Sequence, residues 1–177
     1  MQRKITSILC ALLIASLSVS TAQAGGSVTI KLGSLIADGT LWGFGNGETV
    51  SLEGTGPALV MCVSPGGNAA PGQNRPLVTA SGDASLGGDS TKKNGKSAVY
   101  VVAEPGSVSP EAAGCPNGNW RTQVVFVYYT TATITVYAAD GSVNLIREYT
   151  CVTTANSATP QNTADGTIIC TLVSESH

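Results

Sequence analysis

Four cysteines, Cys62, Cys115, Cys151 and Cys170, carry the first chemistry this sequence offers. Oxidised in pairs they form disulfides, and four thiols admit three connectivities. Zinc is the rival use, but no two of them are spaced C-x-x-C, and the one histidine, His177, ends the chain. A second set is amide and aromatic. Asn68, Gln73 and Asn74 follow Cys62, while Asn117 and Trp120 follow Cys115. Amides beside an indole suit sugar recognition, because the ring covers an apolar sugar face and the amides reach hydroxyls. Their competing role is internal: asparagine readily bonds its own loop backbone, and Trp120, like Trp42, anchors a core. The third set is Glu48, Glu53, Glu104 and Glu148, since a glycoside hydrolase needs two carboxylates roughly 5–10 Å apart across a cleft. Strand neighbours give these glutamates a plainer role on a solvent-facing sheet surface, and Glu148 next to Arg147 fits an exposed polar strand.

Other chemistries find little to work with. A serine or cysteine nucleophile needs a base within hydrogen-bond reach, and His177 is the only imidazole. Lys31, Lys92, Lys93 and Lys96 leave a serine–lysine pair formally open, but the last three stand among Asp and Gly in a solvated stretch. No helix is expected after the glycine-rich stretches, as a phosphate-cradling loop requires. The chain therefore points to no cofactor and no metal.

The elements that must position these groups are strands. Val28–Leu35 opens the domain. Thr40–Phe44 and Glu48–Glu53 flank Asn46-Gly47, a pair suited to a type I′ hairpin turn. Leu59–Val63, Leu77–Ser81 and Ser97–Ala103 are short apolar strands separated by polar stretches, Ser64–Asn74, Asp83–Lys96 and Gly106–Asn119, that read as loops. In Trp120–Ala138, Val124, Phe126 and Tyr128 share one face and Val125, Val127 and Tyr129 the other. That run is too long for one strand and is expected to break near Thr130-Thr131. Asp140-Gly141 signals another hairpin into Asn144–Thr153, and Thr167–Val173 finishes the sheet. About nine short strands with regular turns indicate an all-β, antiparallel β-sandwich, immunoglobulin-like or jelly-roll.

Residues 1–24 read as a secretory signal peptide: Arg3 and Lys4, an apolar run from Ile5 to Val19, then Ala22-Gln23-Ala24 before Gly25. Cys10 lies within that run. Residues 25–177 then form one secreted β-sandwich domain with no membrane insertion after cleavage. Without Arg3 and Lys4, seven basic residues face eleven acidic ones, a net of −4. Sparse acidic charge without a basic cluster argues against nucleic acid as a partner.

Thr154–Asp165 is polar and turn-forming, so its flanking strands can run antiparallel with Cys151 opposite Cys170, within disulfide range. That leaves Cys62 with Cys115. Cys62, Gly66-Gly67-Asn68, Pro71-Gly72-Gln73-Asn74 and then Gly114-Cys115-Pro116-Asn117 with Trp120 resemble a family of small secreted bacterial and fungal proteins. The resemblance spans Leu41 to about Cys151. It implies secretion, one domain and the Cys62–Cys115 bridge, and brings no catalytic residues. The function expected is a secreted, disulfide-stabilised, non-enzymatic interaction or structural module with an extracellular protein or glycan as partner. The alternatives are a carbohydrate-binding module using the loops around Cys62 and Cys115, and a carboxylate-pair glycoside hydrolase.

Overall fold

The structure, a computed structural model, describes residues 26–28, 34–44, 47–87, 96–155 and 166–177. The proposed signal peptide, most of the first expected strand, Asn46, Lys31, Lys92, Lys93, Asn94-Gly95 and most of Thr154–Asp165 lie outside them. The described residues form ten strands: β1 Gly26–Val28, β2 Leu35–Trp42, β3 Thr49–Val63, β4 Ala69–Pro71, β5 Leu77–Ser85, β6 Lys96–Pro105, β7 Arg121–Val127, β8 Thr131–Tyr137, β9 Val143–Ala155 and β10 Gly166–Ser176. No helix occurs among the described residues.

Every pairing is antiparallel, and the path runs β1-β2-β6-β5-β3-β8-β9-β10. This corrects the expected sandwich. Hydrogen bonds run through all the strands as one sheet, curled into a half-barrel, instead of two separate layers.

β3 is the axis of that sheet. The expected strands Glu48–Glu53 and Leu59–Val63 are its two ends, continuous through Gly54-Thr55-Gly56-Pro57. One edge pairs with β5 over Thr49–Pro57 and with β4 over Met61–Val63. The other pairs with β8 over Thr49–Thr55 and with β7 over Ala58–Val63. Residues 128–130 between β7 and β8 are the expected break. The amides of Tyr128 and Thr130 still reach across it to the Pro57 and Thr55 carbonyls, at 2.9 Å each.

Val50, Leu52, Ala58, Val60 and Cys62 of β3 are buried on the inner face, alternating with more exposed residues as a pleated strand demands. Val78 and Ala80 of β5, Ala132, Ile134 and Val136 of β8, and Leu145 of β9 join them. β2 and β6 fold over this face. Leu35, Ala37 and Leu41 of β2 and Val99, Val101 and Ala103 of β6 complete the same core. Only Ala80–Pro105 and Ser81–Glu104 tie β6 to β5 before it turns away. Gly82 marks that corner, since a Cβ there would stand 2.0 Å from the Val102 carbonyl oxygen.

Three expectations change. Thr40–Phe44 does not form a hairpin with β3: the strand holding Thr40 pairs with β6, from Leu35–Ala103 to Trp42–Lys96. Gly47 nonetheless has the positive φ, 89°, expected of its turn. Trp42 is exposed, with the Lys96 ammonium 5.2 Å from its ring centre, because Leu35, Ala37 and Leu41 are the inward residues of β2. In β7, Val125 is an extra residue between the pairs Leu59–Phe126 and Val60–Val124. This bulge brings Val124 to the core side with Val127, leaving Phe126 and Leu59 buried together outside the main core. The Asp140-Gly141 hairpin forms as expected, with Gly141 at φ 84°. Asp140 accepts the amide and hydroxyl of Ser142, and these two bonds hold its carboxyl below the usual carboxylate range.

The close approach at the centre of β3 is testable. A Cβ on Gly56 would lie 2.0 Å from the Tyr128 carbonyl oxygen, whereas one on Gly118 meets nothing within 4 Å. Gly56→Ala should cost about 3 kcal/mol in denaturant unfolding, as overpacking against backbone does, while Gly118→Ala should stay within about 0.5 kcal/mol.

Candidate functional site

Cys62 closes on Cys115 and Cys151 on Cys170, with Cα separations of 5.7 and 4.0 Å. Both pairs are the expected ones. Cys170 stands directly opposite Cys151 in the β9–β10 register, so the sulfurs cross between two paired strands. Cys62, near the end of β3, instead staples the sheet to the turn before Asn117.

That staple packs 64–76 against 106–120. Asn74 is the tie: its backbone amide reaches the Ala113 carbonyl at 3.1 Å, and its side-chain amide reaches that of Ala112 at 3.2 Å. Gly72 fits only because a Cβ there would stand 2.6 Å from the Ala113 oxygen. The Thr122 hydroxyl, donated to the Val108 carbonyl, fastens the same segment from the other side.

The amides named from sequence are divided among local tasks. Asn68 closes the turn after β3 with its backbone, the N–H reaching Ser64 Oγ at 3.0 Å and the carbonyl accepting the Ser64 amide at 2.8 Å. Asn117 Oδ1 accepts the Asn119 amide at 3.0 Å. Gln73 is exposed, and Trp120 is half-buried with its ring against the core. Among the described residues no hydrogen bond joins Asn68, Gln73 and Asn117 to one another. Tyr128 is half-buried, edge-on to Phe126 at 4.7 Å, with the Arg75 guanidinium 5.3 Å from its ring centre.

The glutamates are also spread out. Glu48 accepts the Asn144 side-chain amide at 2.8 Å, and Glu104 accepts the Ser34 hydroxyl at 3.0 Å. Glu148 accepts the Ser174 hydroxyl at 2.7 Å. Glu53 and Glu148 share the outer face and a single cross-strand row, both paired with Thr133. Two strand spacings set them roughly 9.5 Å apart, both exposed on the sheet surface.

Register reveals what the one-dimensional pattern hid. Thr79, Thr55, Thr131, Thr150 and Thr171 fall in one line across β5, β3, β8, β9 and β10. The Thr55 and Thr79 hydroxyls lie 3.2 Å apart, so one donates to the other. Beside the line, Thr131, Thr133, Glu148, Thr150 and Val173 help to line a shallow hollow of about 350 Å³. Each threonine sat in a different strand of the sequence, with only its own alternation to mark it.

Arg147 was expected beside Glu148 on an exposed strand. It is 2% exposed, one of the inward residues of β9, and its Nε donates to Glu175 of β10 at 2.7 Å. Burying a guanidinium is costly unless its donors are met, so this bond holds the end of β10 in place. Burial pushes the Tyr149 phenol up, against the pull of Arg147 beside it. Burial raises Tyr129 further, and its hydroxyl has no hydrogen-bond partner among the described residues. Gly95-Lys96-Ser97 carries the ending of a phosphate-binding loop, a feature overlooked in the sequence. Lys96 instead opens β6, and the buried Ser97 hydroxyl is donated to the Phe44 carbonyl at 2.8 Å. Among the described residues no group of three or more His, Cys, Asp or Glu gathers to hold a metal.

Comparison with known proteins returns no match: no family model, curated protein or solved structure matches the chain.

Two measurements follow from this geometry. The cystines span 53 and 19 residues. By loop entropy, paired Ser replacement should cost about 4 kcal/mol for Cys62–Cys115 and about 3 kcal/mol for Cys151–Cys170, read by denaturant unfolding. Tyr129 and Tyr149 have folded values above that of an unfolded phenol, so the stability they lend is complete below about pH 10 and is lost as pH rises through the folded values. Phenolate formation at these two should be held back while the fold persists, when ultraviolet absorbance and circular dichroism are followed together as pH rises. Tyr129→Phe should not destabilise, because it removes a buried hydroxyl that bonds nothing among the described residues.

Proposed function

We propose that the chain is exported and serves outside the cell as a non-enzymatic interaction or structural module. The observation that carries this reading is the use made of its sulfur: two cystines, one stapling loops to β3 and one clamping the last strand to the sheet. Such bonds persist in oxidising surroundings, and the signal-like residues 1–24 supply the route there. The module reading also fits the polar groups, most of which serve the fold. Asn74, Asn117, Glu104, Glu148 and Arg147 each bond a neighbouring part of the same domain.

Glycan recognition is the second reading, and one observation favours a particular place for it. Aligned threonine hydroxyls beside Glu148 and a shallow hollow offer donors and acceptors at regular strand spacing to a flat saccharide surface. That surface is distinct from the loops around Asn68, Gln73, Asn74, Asn117 and Trp120, from which the glycan expectation first arose.

Exported material should begin at Gly25, show no reactive thiol by mass spectrometry after alkylation, and leave polysaccharides uncut. Free thiols, or turnover abolished by Glu53→Gln or Glu148→Gln, would overturn the proposal. On a glycan array, binding lost in Glu148→Gln but kept in Trp120→Ala assigns the sheet face, and the reverse assigns the loops.

A further inference from the structure

β10 ends the sheet path, bonded to β9 on one edge and to no described strand on the other. Which of its backbone groups face that open edge follows from the register. Cys151 donates its amide to the Thr130 carbonyl at 2.8 Å, on the β8 side. Alternation then turns the groups of Thr150 and Val152 toward β10, where they meet Thr171 and Ile169. The amides and carbonyls of Ile168, Cys170 and Leu172 are thereby sent outward. The 4.0 Å Cα approach of Cys151 and Cys170 agrees, being that of a non-hydrogen-bonded pair.

Proteins ordinarily guard such an edge with proline, lysine or inward-pointing charge. Gly166–Ser176 contains neither proline nor lysine nor arginine. Its one charged residue, Glu175, is already engaged by Arg147. Apolar side chains stand in the open instead: Ile169 at 61%, Val173 at 65% and Leu172 at 46% exposure, with Val152 of β9 at 62% beside Ile169.

We infer that this edge pairs with β10 of a second copy of the chain, antiparallel, about a twofold axis beside Thr171. In that register Cys170 meets the partner's Leu172, and Leu172 meets the partner's Cys170. Those residues present the outward groups, so four N–H···O=C bonds close at the centre. On the outer face Thr171 stands by its own copy, and Ile169 lies beside the partner's Val173 on both sides of the axis, an apolar pair made twice. Charge is compatible as well: Glu175 falls at either end of the contact, opposite the uncharged stretch around Ile168. The same patch serves both copies, so association stops at two. The bulge between Leu172 and Ser174 confines pairing to a short central stretch, which makes the dimer a weak, concentration-dependent one.

The inference deepens the module reading by naming a partner. A strictly monomeric protein would remove it and leave that reading intact, whereas polysaccharide turnover would remove the reading and leave the dimer. The test is sedimentation velocity of the oxidised, exported protein across the micromolar range, where the mass should move from one chain to two. Leu172→Pro removes an amide that β9 does not use, and Ile169→Lys sets a charge on the edge. Each should weaken dimerisation about tenfold or more, with the circular dichroism spectrum and melting temperature of the monomer retained. Amide exchange at Cys170 and Leu172 should slow as wild-type concentration rises. A monomer at every concentration, a larger assembly, or a dimer that both variants leave intact would overturn the proposal.

Discussion

A single strand with hydrogen-bonded neighbours along both edges for fifteen residues is the constraint on which this domain depends. β3 gives its first half to β5 and β8 and its second to β4 and β7. Every other described strand joins the hydrogen-bonded path through these partners. Gly54 and Gly56 let it do so. At Gly54 the missing side chain leaves room for Leu35 and Tyr129, and at Gly56 it lets the Tyr128 backbone lie directly on the strand. The core is therefore assembled around bare backbone at its centre, with Val50, Leu52, Ala58 and Val60 filling in on either side.

The polar interior extends that logic toward the last strands. Arg147 occupies an inward position that the alternation of β9 would normally give to an aliphatic residue, between Leu145 and Tyr149. Its bond to Glu175 and the Cys151–Cys170 cystine hold β10 at two points, one ionic and one covalent. The exposed side of that strand is consequently presented in a fixed register. A loosely held terminal strand could not offer a defined row of donors and acceptors.

Much of this was legible from residue types alone. The cystine pairing followed from a polar turn between Cys151 and Cys170, and the β8–β9 hairpin from Asp140-Gly141. The break after β7 followed from a run too long for one strand. What stayed hidden has a physical reason in each case. Gly54-Thr55-Gly56-Pro57 has the composition of a turn, yet tertiary contact holds it extended, so two expected strands were one. Thr40–Phe44 and Glu48–Glu53 sit close in sequence, but the first found a better-matched apolar partner in β6. One extra residue, Val125, broke the alternation on which the face of Val124 had been assigned. Of the candidate site, the local bond of Asn117 follows the habit of asparagine in turns, but the reach of Asn74 to Ala112, 38 residues on, has no local signal. The threonine line exists only once five strands are aligned, so no local pattern announces it.

Both cystines bracket stretches of polar sequence: residues 88–95 lie between Cys62 and Cys115, and residues 156–165 between Cys151 and Cys170. A peptidase that clipped either stretch once would sever the backbone without releasing a fragment, because the sulfur link still joins the two pieces and the ladders on each side remain made. A nicked molecule would hold together until its disulfides were reduced, a useful property where proteases are abundant and repair is absent.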